Sequence, residues 1–224
     1  MSELADAGAD ADAAAIVRMR AALTDAAARL HAAGARTEAL AEYEPASRVL
    51  LIPRAERLRP VGRVWRLGAL LLEADLGAAA PRGSGARGGA AGAEGGEPGD
   101  PTTGAPDSGA REAAEPPKLY ATGSVTRSHE PGRPTYQAAS AERRRQLRVA
   151  AYRGHFTPGE SVNYDATPIA IDDGLIGASG AVTIEGGRAF VRWSTSTVGS
   201  DALSDFETYL ADRVALLVDP PAGA

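Results

Sequence analysis

From Gly77 to Pro117 the chain contains no Val, Ile, Leu, Met, Phe, Tyr or Trp. Gly, Pro, Ala and charges of both signs recur there without a period. Such a segment has no apolar surface to bury against the entropy of ordering it, so a disordered insert is expected over 77–117. The residues able to build a core lie on either side of it. They read as one domain assembled from 13–76 and 118–218, with a flexible N-terminus at 1–12 and a tail at 219–224.

The flanks of the insert say how the two pieces join. Arg63-Val-Trp-Arg-Leu-Gly-Ala-Leu-Leu-Leu72 reads as a strand before it, and Leu119-Tyr-Ala-Thr-Gly-Ser-Val-Thr-Arg127 as a strand after it. We expect one antiparallel pair whose hairpin loop has been expanded. Loop-closure entropy grows only logarithmically, by roughly 2 kcal/mol over a short loop, so a stable domain tolerates the expansion.

Elsewhere the periodicities are local. Ile16, Met19, Leu23, Ala26 and Leu30 share a helical face over 13–33, and Gly34 stops that helix. Arg48-Val-Leu-Leu-Ile-Pro53 is a short apolar run, expected as a strand buried on both faces. Ser140 is the expected N-cap of a helix reaching Gly154, which would supply a left-handed C-terminal residue. Ser161 to Asp172 holds one bent strand or two short ones, broken near Pro168.

Val182 to Trp193 reads as a hairpin turning at Gly186-Gly187, with Val182, Ile184, Ala189, Val191 and Trp193 on the core side and Thr183, Phe190 and Arg192 on the other. A last helix is expected from Ala202 to Val218, capped by the Ser204-x-x-Glu207 box or by Ser200. The order of elements gives an α+β class: an antiparallel twisted sheet with about three helices, mainly on one face.

Charge and composition narrow the function. The net charge is −5, and removing the insert's three Arg and six acidic residues leaves −2, which argues against a protein held on nucleic acid by overall charge. Of 24 basic residues only Lys118 is a lysine, so the arginine excess reflects codon bias before it reflects phosphate binding. There is no Cys, which excludes disulfides, thiolate catalysis and Cys-ligated metal. The acidic start Met1-Ser-Glu-Leu-Ala-Asp6 does not read as a secretory signal, and the longest apolar segment, Gly68 to Leu72, is far too short to span a bilayer. A cytoplasmic protein is expected.

Two surfaces carry a physical rationale for binding. Ser194, Thr195, Ser196, Thr197 and Ser200, with Arg192 beside them, would place hydroxyls and backbone N–H groups at the N-terminus of the last helix, where an anion could sit. Arg144, Arg145 and Arg148 fall on one side of the middle helix, while Leu147 and Ala151 face the core. Together with Arg48, Arg54, Arg57, Arg59, Arg63 and Arg66 they could form a basic face, set against the simpler reading of a solvated surface.

Other motifs lack their structural context. Gly83-Ser-Gly-Ala-Arg-Gly88 has dinucleotide-loop spacing but lies inside the low-complexity insert. Gly177-Ala-Ser-Gly180 is one residue short of a nucleophile elbow. His31, His129 and His155 have no metal-ligand spacing and would need to converge with Asp172 or Asp173 to hold an ion. No catalytic residue, cofactor or metal is assigned.

Arg63 to Leu72, Leu119 to Thr126 and Arg145-Gln-Leu-Arg-Val-Ala-Ala-Tyr-Arg-Gly-His-Phe-Thr-Pro-Gly-Glu-Ser-Val-Asn-Tyr164 together resemble a set of uncharacterised actinobacterial proteins, some of which carry an automatic glutaminase label. That resemblance implies amide hydrolysis. It brings no catalytic residues with it, since the one lysine, Lys118, is preceded at Ser-x-x-Lys spacing by Glu115. In element order alone the chain also resembles the small dimeric chaperones of bacterial secretion systems. The residues themselves point first to a non-enzymatic binding module for a second copy of itself or an acidic protein partner. Nucleic acid is disfavoured and no membrane is involved. An amide hydrolase and a nucleic-acid accessory protein using the arginine faces are the alternatives.

Overall fold

The structure is a computed structural model that describes residues 2–49, 52–74, 116–132, 138–193 and 203–221. Helix α1 (Ser2–Ala32) precedes β1 (Glu38–Glu44), β2 (Ser47–Val49), β3 (Ile52–Arg54), β4 (Arg57–Leu67) and β5 (Leu70–Glu73). After the insert come β6 (Leu119–Ala121), β7 (Ser124–Arg127), α2 (Ala139–Arg153), β8 (Ser161–Tyr164) and β9 (Thr167–Ile169). A 3-10 turn (Asp173–Leu175) leads to β10 (Val182–Glu185), β11 (Arg188–Arg192), β12 (Leu203–Asp205) and α3 (Phe206–Val218).

The main sheet runs β7-β8-β1-β4-β5-β6-β9, antiparallel throughout except for the parallel pair β1 and β8. The class is α+β, as the element order implies.

The helices gather on one face for a reason visible in the register. Trp65 and Leu67 of β4 alternate with Val64 and Arg66, and they pair with Leu72 and Leu70 of β5. These four side chains are buried against the apolar stripe of α1 (Ile16, Met19, Leu23, Leu30) and against Phe206 and Leu210 of α3. Ala39 pairs with Arg63 and with Val162, which puts it on that same face. A bulge at Val61, between the pairs Leu40 with Gly62 and Ala41 with Pro60, returns Leu58 to this face as well. There Ala150 and Ala151 of α2 pack on Ala39, Ala41, Leu58 and Val162.

The expected pairing across the insert is present: Leu70, Leu71 and Leu72 oppose Ala121, Tyr120 and Leu119. Residues 63–72, however, are two strands instead of one. Gly68, at φ +69°, turns β4 back into β5. Its missing Cβ would lie 2.4 Å from the Tyr209 hydroxyl. Residues 119–127 are likewise two strands, because β6 pairs with β5 whereas β7 leaves to pair with β8.

The apolar run 48–53 is not a doubly buried strand. β2 and β3 pair with each other as the outer part of the long β1–β4 hairpin, and Ile52 is 67% exposed. The described residues of this run do form strand, but among the described residues no layer covers the ribbon.

Three ends also differ from expectation. α1 begins at Ser2, so 2–12 is helical instead of flexible. Its Ala-rich start favours helix, and the turn of the β10–β11 hairpin holds it: Gly187 N–H donates to Asp12 Oδ1 at 2.8 Å and Arg18 Nη2 donates to the Gly187 carbonyl at 2.7 Å.

The α2 helix is capped by Ala138 with no side-chain bond, not by Ser140. The left-handed residue after it is His155 (φ 67°), since Gly154 has φ −79°. Gly154 is needed for space: a Cβ would come 1.8 Å from the Leu58 carbonyl oxygen.

The α3 helix starts at Phe206, and its cap is Asp205, which accepts from Thr208 N–H at 3.1 Å. In the β10–β11 hairpin the Gly186-Gly187 turn and the Glu185–Arg188 pair are as expected. Trp193, however, is 52% exposed because pairing ends at Arg192, and Thr183 is buried.

Candidate anion-binding cleft

Helix α2 is fixed from its apolar side. Val149, Ala150 and Ala151 are buried, and the last turn approaches β4 through Gly154. His129, just after β7, donates its N–H to the Arg148 carbonyl at 3.2 Å, and the buried Ser128 Oγ donates to the Phe156 carbonyl at 2.9 Å. These bonds tie the end of β7 to both sides of the α2 terminus. Arg144 and Arg148, one helical turn apart, are thereby held beside the outer strand of the sheet.

Between α2 and β7 lies a cleft of about 470 Å³. Arg144, Leu147 and Arg148 form its helical wall, and Val125, Thr126 and Arg127 its strand wall. Ser161, Tyr164, Glu38 and Arg66 complete it. The register places Val125, Arg127 and Ser161 on the sheet face opposite Val162 and Tyr164. Since β7 is the outermost strand on this side, the cleft extends round its edge.

Four arginines and one carboxylate, Glu38, thus line the cleft. Arg66 Nη1 donates to Asn163 Oδ1 at 2.6 Å, and Asn163 Nδ2 donates to Glu38 Oε2 at 2.8 Å and to the Ala39 carbonyl at 3.2 Å. Asn163 is buried, so it acts as a rigid bridge between Arg66 and Glu38. Arg127, Arg144 and Arg148 form no ion pair and donate no side-chain hydrogen bond among the described residues. Three unneutralised cations around one concavity repel each other, and an anion placed among them relieves that repulsion through charge-assisted, fork-shaped hydrogen bonds.

The other arginines are separated from this site. Arg145 makes a two-pronged pair with Glu142, at 2.8 and 2.7 Å, and this guanidinium holds the Glu142 carboxyl below the usual carboxylate range. Arg143 reaches Glu56 at 2.7 Å and the Tyr43 hydroxyl at 3.1 Å. Burial would raise the Glu56 pKa, but hydrogen bonds from Tyr43 and Arg143 outweigh it and lower it.

The locally basic stretch 48–66 is neutralised in space by β1: Arg57 pairs with Glu44, and Arg59 with Glu42 and Glu44. Arg63 pairs with Glu160. Arg57, Arg59 and Arg63, the middle of the expected basic face over 48–66, are therefore ion-paired. Arg144 and Arg148 remain from the expected helix face, and Arg66 and Arg127 join them.

The second expected anion site falls largely outside the described residues. Ser194, Thr195, Ser196, Thr197 and Ser200 lie outside the described residues. The helix they were to cap begins at Phe206, after β12, and its N-terminal amide at Thr208 is already taken by Asp205. Arg192 Nε donates to the Gly180 carbonyl at 3.4 Å. Among the described residues no group of three His, Asp or Glu side chains could hold a metal ion. His31 ends α1, His129 follows β7 and His155 follows α2.

The signal for Arg144 and Arg148 is in the sequence, as a helical i, i+4 pair. Arg66, Arg127, Glu38 and Asn163 carry none, because what brings them together is the insertion of β8 between β7 and β1. No family model, no curated protein and no solved structure matches the chain. No helix among the described residues is long and apolar enough to cross a membrane.

Proposed function

We propose that this chain is a non-enzymatic binding module that takes an acidic protein partner in the cleft between α2 and β7. The observation that carries this reading is the convergence of Arg127, Arg144 and Arg148, all without acidic partners among the described residues, on one concavity. Amide hydrolysis has no comparable support: Ser128 is buried with its hydroxyl bonded to a backbone carbonyl, and the sequence holds no Cys.

A partner carrying carboxylates fits the charge of the cleft without requiring the rest of this net-negative chain to attract a polyanion. We place this activity in the cytoplasm. The test is fluorescence anisotropy with a labelled hexaglutamate peptide at low salt. Binding should weaken at least 10-fold in Arg144→Gln/Arg148→Gln and be unchanged in Arg145→Gln, whose guanidinium is occupied by Glu142. Equal loss in both variants, or no binding by the wild type, contradicts the reading.

A further inference from the structure

We propose that the acidic partner binds as an added β-strand, pairing with the outer edge of β7 in the groove that α2 walls. The proposal rests on the acidic-partner reading above and specifies how that partner is held.

The ladder determines which backbone groups of β7 are free. Ser128 N–H donates to the Glu160 carbonyl at 3.0 Å, directly beyond the pair Arg127 with Ser161. In an antiparallel ladder hydrogen-bonded pairs alternate with non-bonded ones. Thr126 with Val162 and Ser124 with Tyr164 are therefore bonded pairs, and the N–H and C=O groups of Val125 and Arg127 point away from β8. β7 ends the sheet on that side, and nothing among the described residues pairs with those four groups. An unpaired strand edge is a template for another strand unless something covers or blocks it. Here the neighbouring feature is a cleft.

The shape and charge of the cleft select the occupant. Strand on one side and helix on the other is the arrangement in which an extended peptide gains affinity from main-chain bonds and specificity from alternate side chains. Successive side chains of an added strand point to opposite faces. One set would meet Arg127, the other Arg144 and Arg148. Carboxylates are thus accommodated on both faces of the incoming strand, and the methylenes of their side chains would lie along Val125, which is 51% exposed, and Leu147. A nucleic acid could use the arginines but has no peptide backbone whose N–H and C=O groups recur at the spacing of Val125 and Arg127.

Three probes test this on the full chain: labelled hexaglutamate, the same peptide with every backbone amide N-methylated, and single-stranded DNA of equal length. Strand addition predicts at least a 10-fold loss on full methylation and retained binding when only alternate amides are methylated, because only alternate amides face β7. Equal affinity for the fully methylated peptide would overturn strand addition and leave the acidic-partner reading standing. Absence of any hexaglutamate binding would sink both.

DNA binding tighter than peptide and lost in Arg144→Gln/Arg148→Gln would overturn the peptide as occupant. Val125→Pro supplies a second arm. It removes an N–H that makes no ladder bond, as proline at an edge position can, and should weaken hexaglutamate at least 10-fold. If that variant fails to fold, the methylated peptides decide alone.

Discussion

Arg66 and Asn163 are joined by a 2.6 Å hydrogen bond from the guanidinium to the amide oxygen, on a side chain that is itself buried and bonded to Glu38 and to the Ala39 carbonyl. Asn163 satisfies three groups from two strands at once, so its loss takes a partner from two charged side chains and a carbonyl. Asn163→Ala should cost about 2–4 kcal/mol in urea unfolding. It should also weaken acidic-peptide binding without touching Arg144 or Arg148. A variant as stable as the wild type would mean that water replaces the amide.

The turn between β4 and β5 is held by a single side chain of α3. Tyr209 Oη accepts from Ala69 N–H at 2.8 Å and donates to the Leu67 carbonyl at 3.0 Å. Tyr209→Phe leaves the Ala69 N–H without its partner and takes the second donor from the Leu67 carbonyl, and should cost about 1–3 kcal/mol. Gly68→Ala adds a strained φ and a clash with the same hydroxyl, so it should cost a similar amount. The clash disappears in the double variant, which should be more stable than the sum of the two single costs. Additive costs would show that the two residues are not coupled.

Among the carboxylates whose pKa is lowered, Glu56 and Asp205 are the partly buried pair expected to contribute most to the acid limb of stability. For Asp205, as for Glu56, burial would raise the pKa. The Thr208 amide and the Arg188 guanidinium outweigh it at Asp205, and the net shift is downward at both. A depressed carboxyl contributes stability that is fully present above its unfolded-state value, near pH 4, and is lost as pH falls through the lower folded value. Thermal midpoints should be flat from pH 7 to about 5 and fall below about pH 4. Glu56→Gln should flatten that fall. An unchanged acid limb in the variant would exclude Glu56 from it.

Replacing 78–116 by a short Gly-Ser loop should leave the thermal midpoint equal or higher. The strands on either side already meet as neighbours, with Glu73 N–H donating to the Lys118 carbonyl at 2.9 Å. Differential scanning calorimetry of the shortened chain checks this. A drop of several degrees would show that the removed residues contribute packing.

What was legible in the sequence was what local chemistry dictates. Gly186-Gly187 needs positive φ at both positions, and the stripe of α1 needs one apolar partner layer, so both elements could be read directly. The turn at Gly68 was hidden because apolar residues flank it on both sides and its conformation is enforced from α3. The run 48–53 has the composition of a core strand, yet its burial depends on whether a layer lies over it, and composition does not encode that.

The same limit applies to the cleft. Helical spacing put Arg144 and Arg148 together, and it equally included Arg145, whose alternative partner Glu142 sits three residues away on the same helix. Arg66 and Arg127 belong to β4 and β7, which β1 and β8 separate in the sheet, and only the sheet order brings them to one site.

The role proposed for the unpaired arginines of the cleft is to bind an acidic segment. The direct measurement is a hexaglutamate titration by anisotropy at 50 and 200 mM salt, with wild type and Arg127→Gln/Arg144→Gln/Arg148→Gln. Wild-type binding should weaken severalfold between the two salt concentrations and be lost at both in the triple variant. Wild-type binding that survives the triple substitution, or a wild type that does not bind at 50 mM salt, would contradict it.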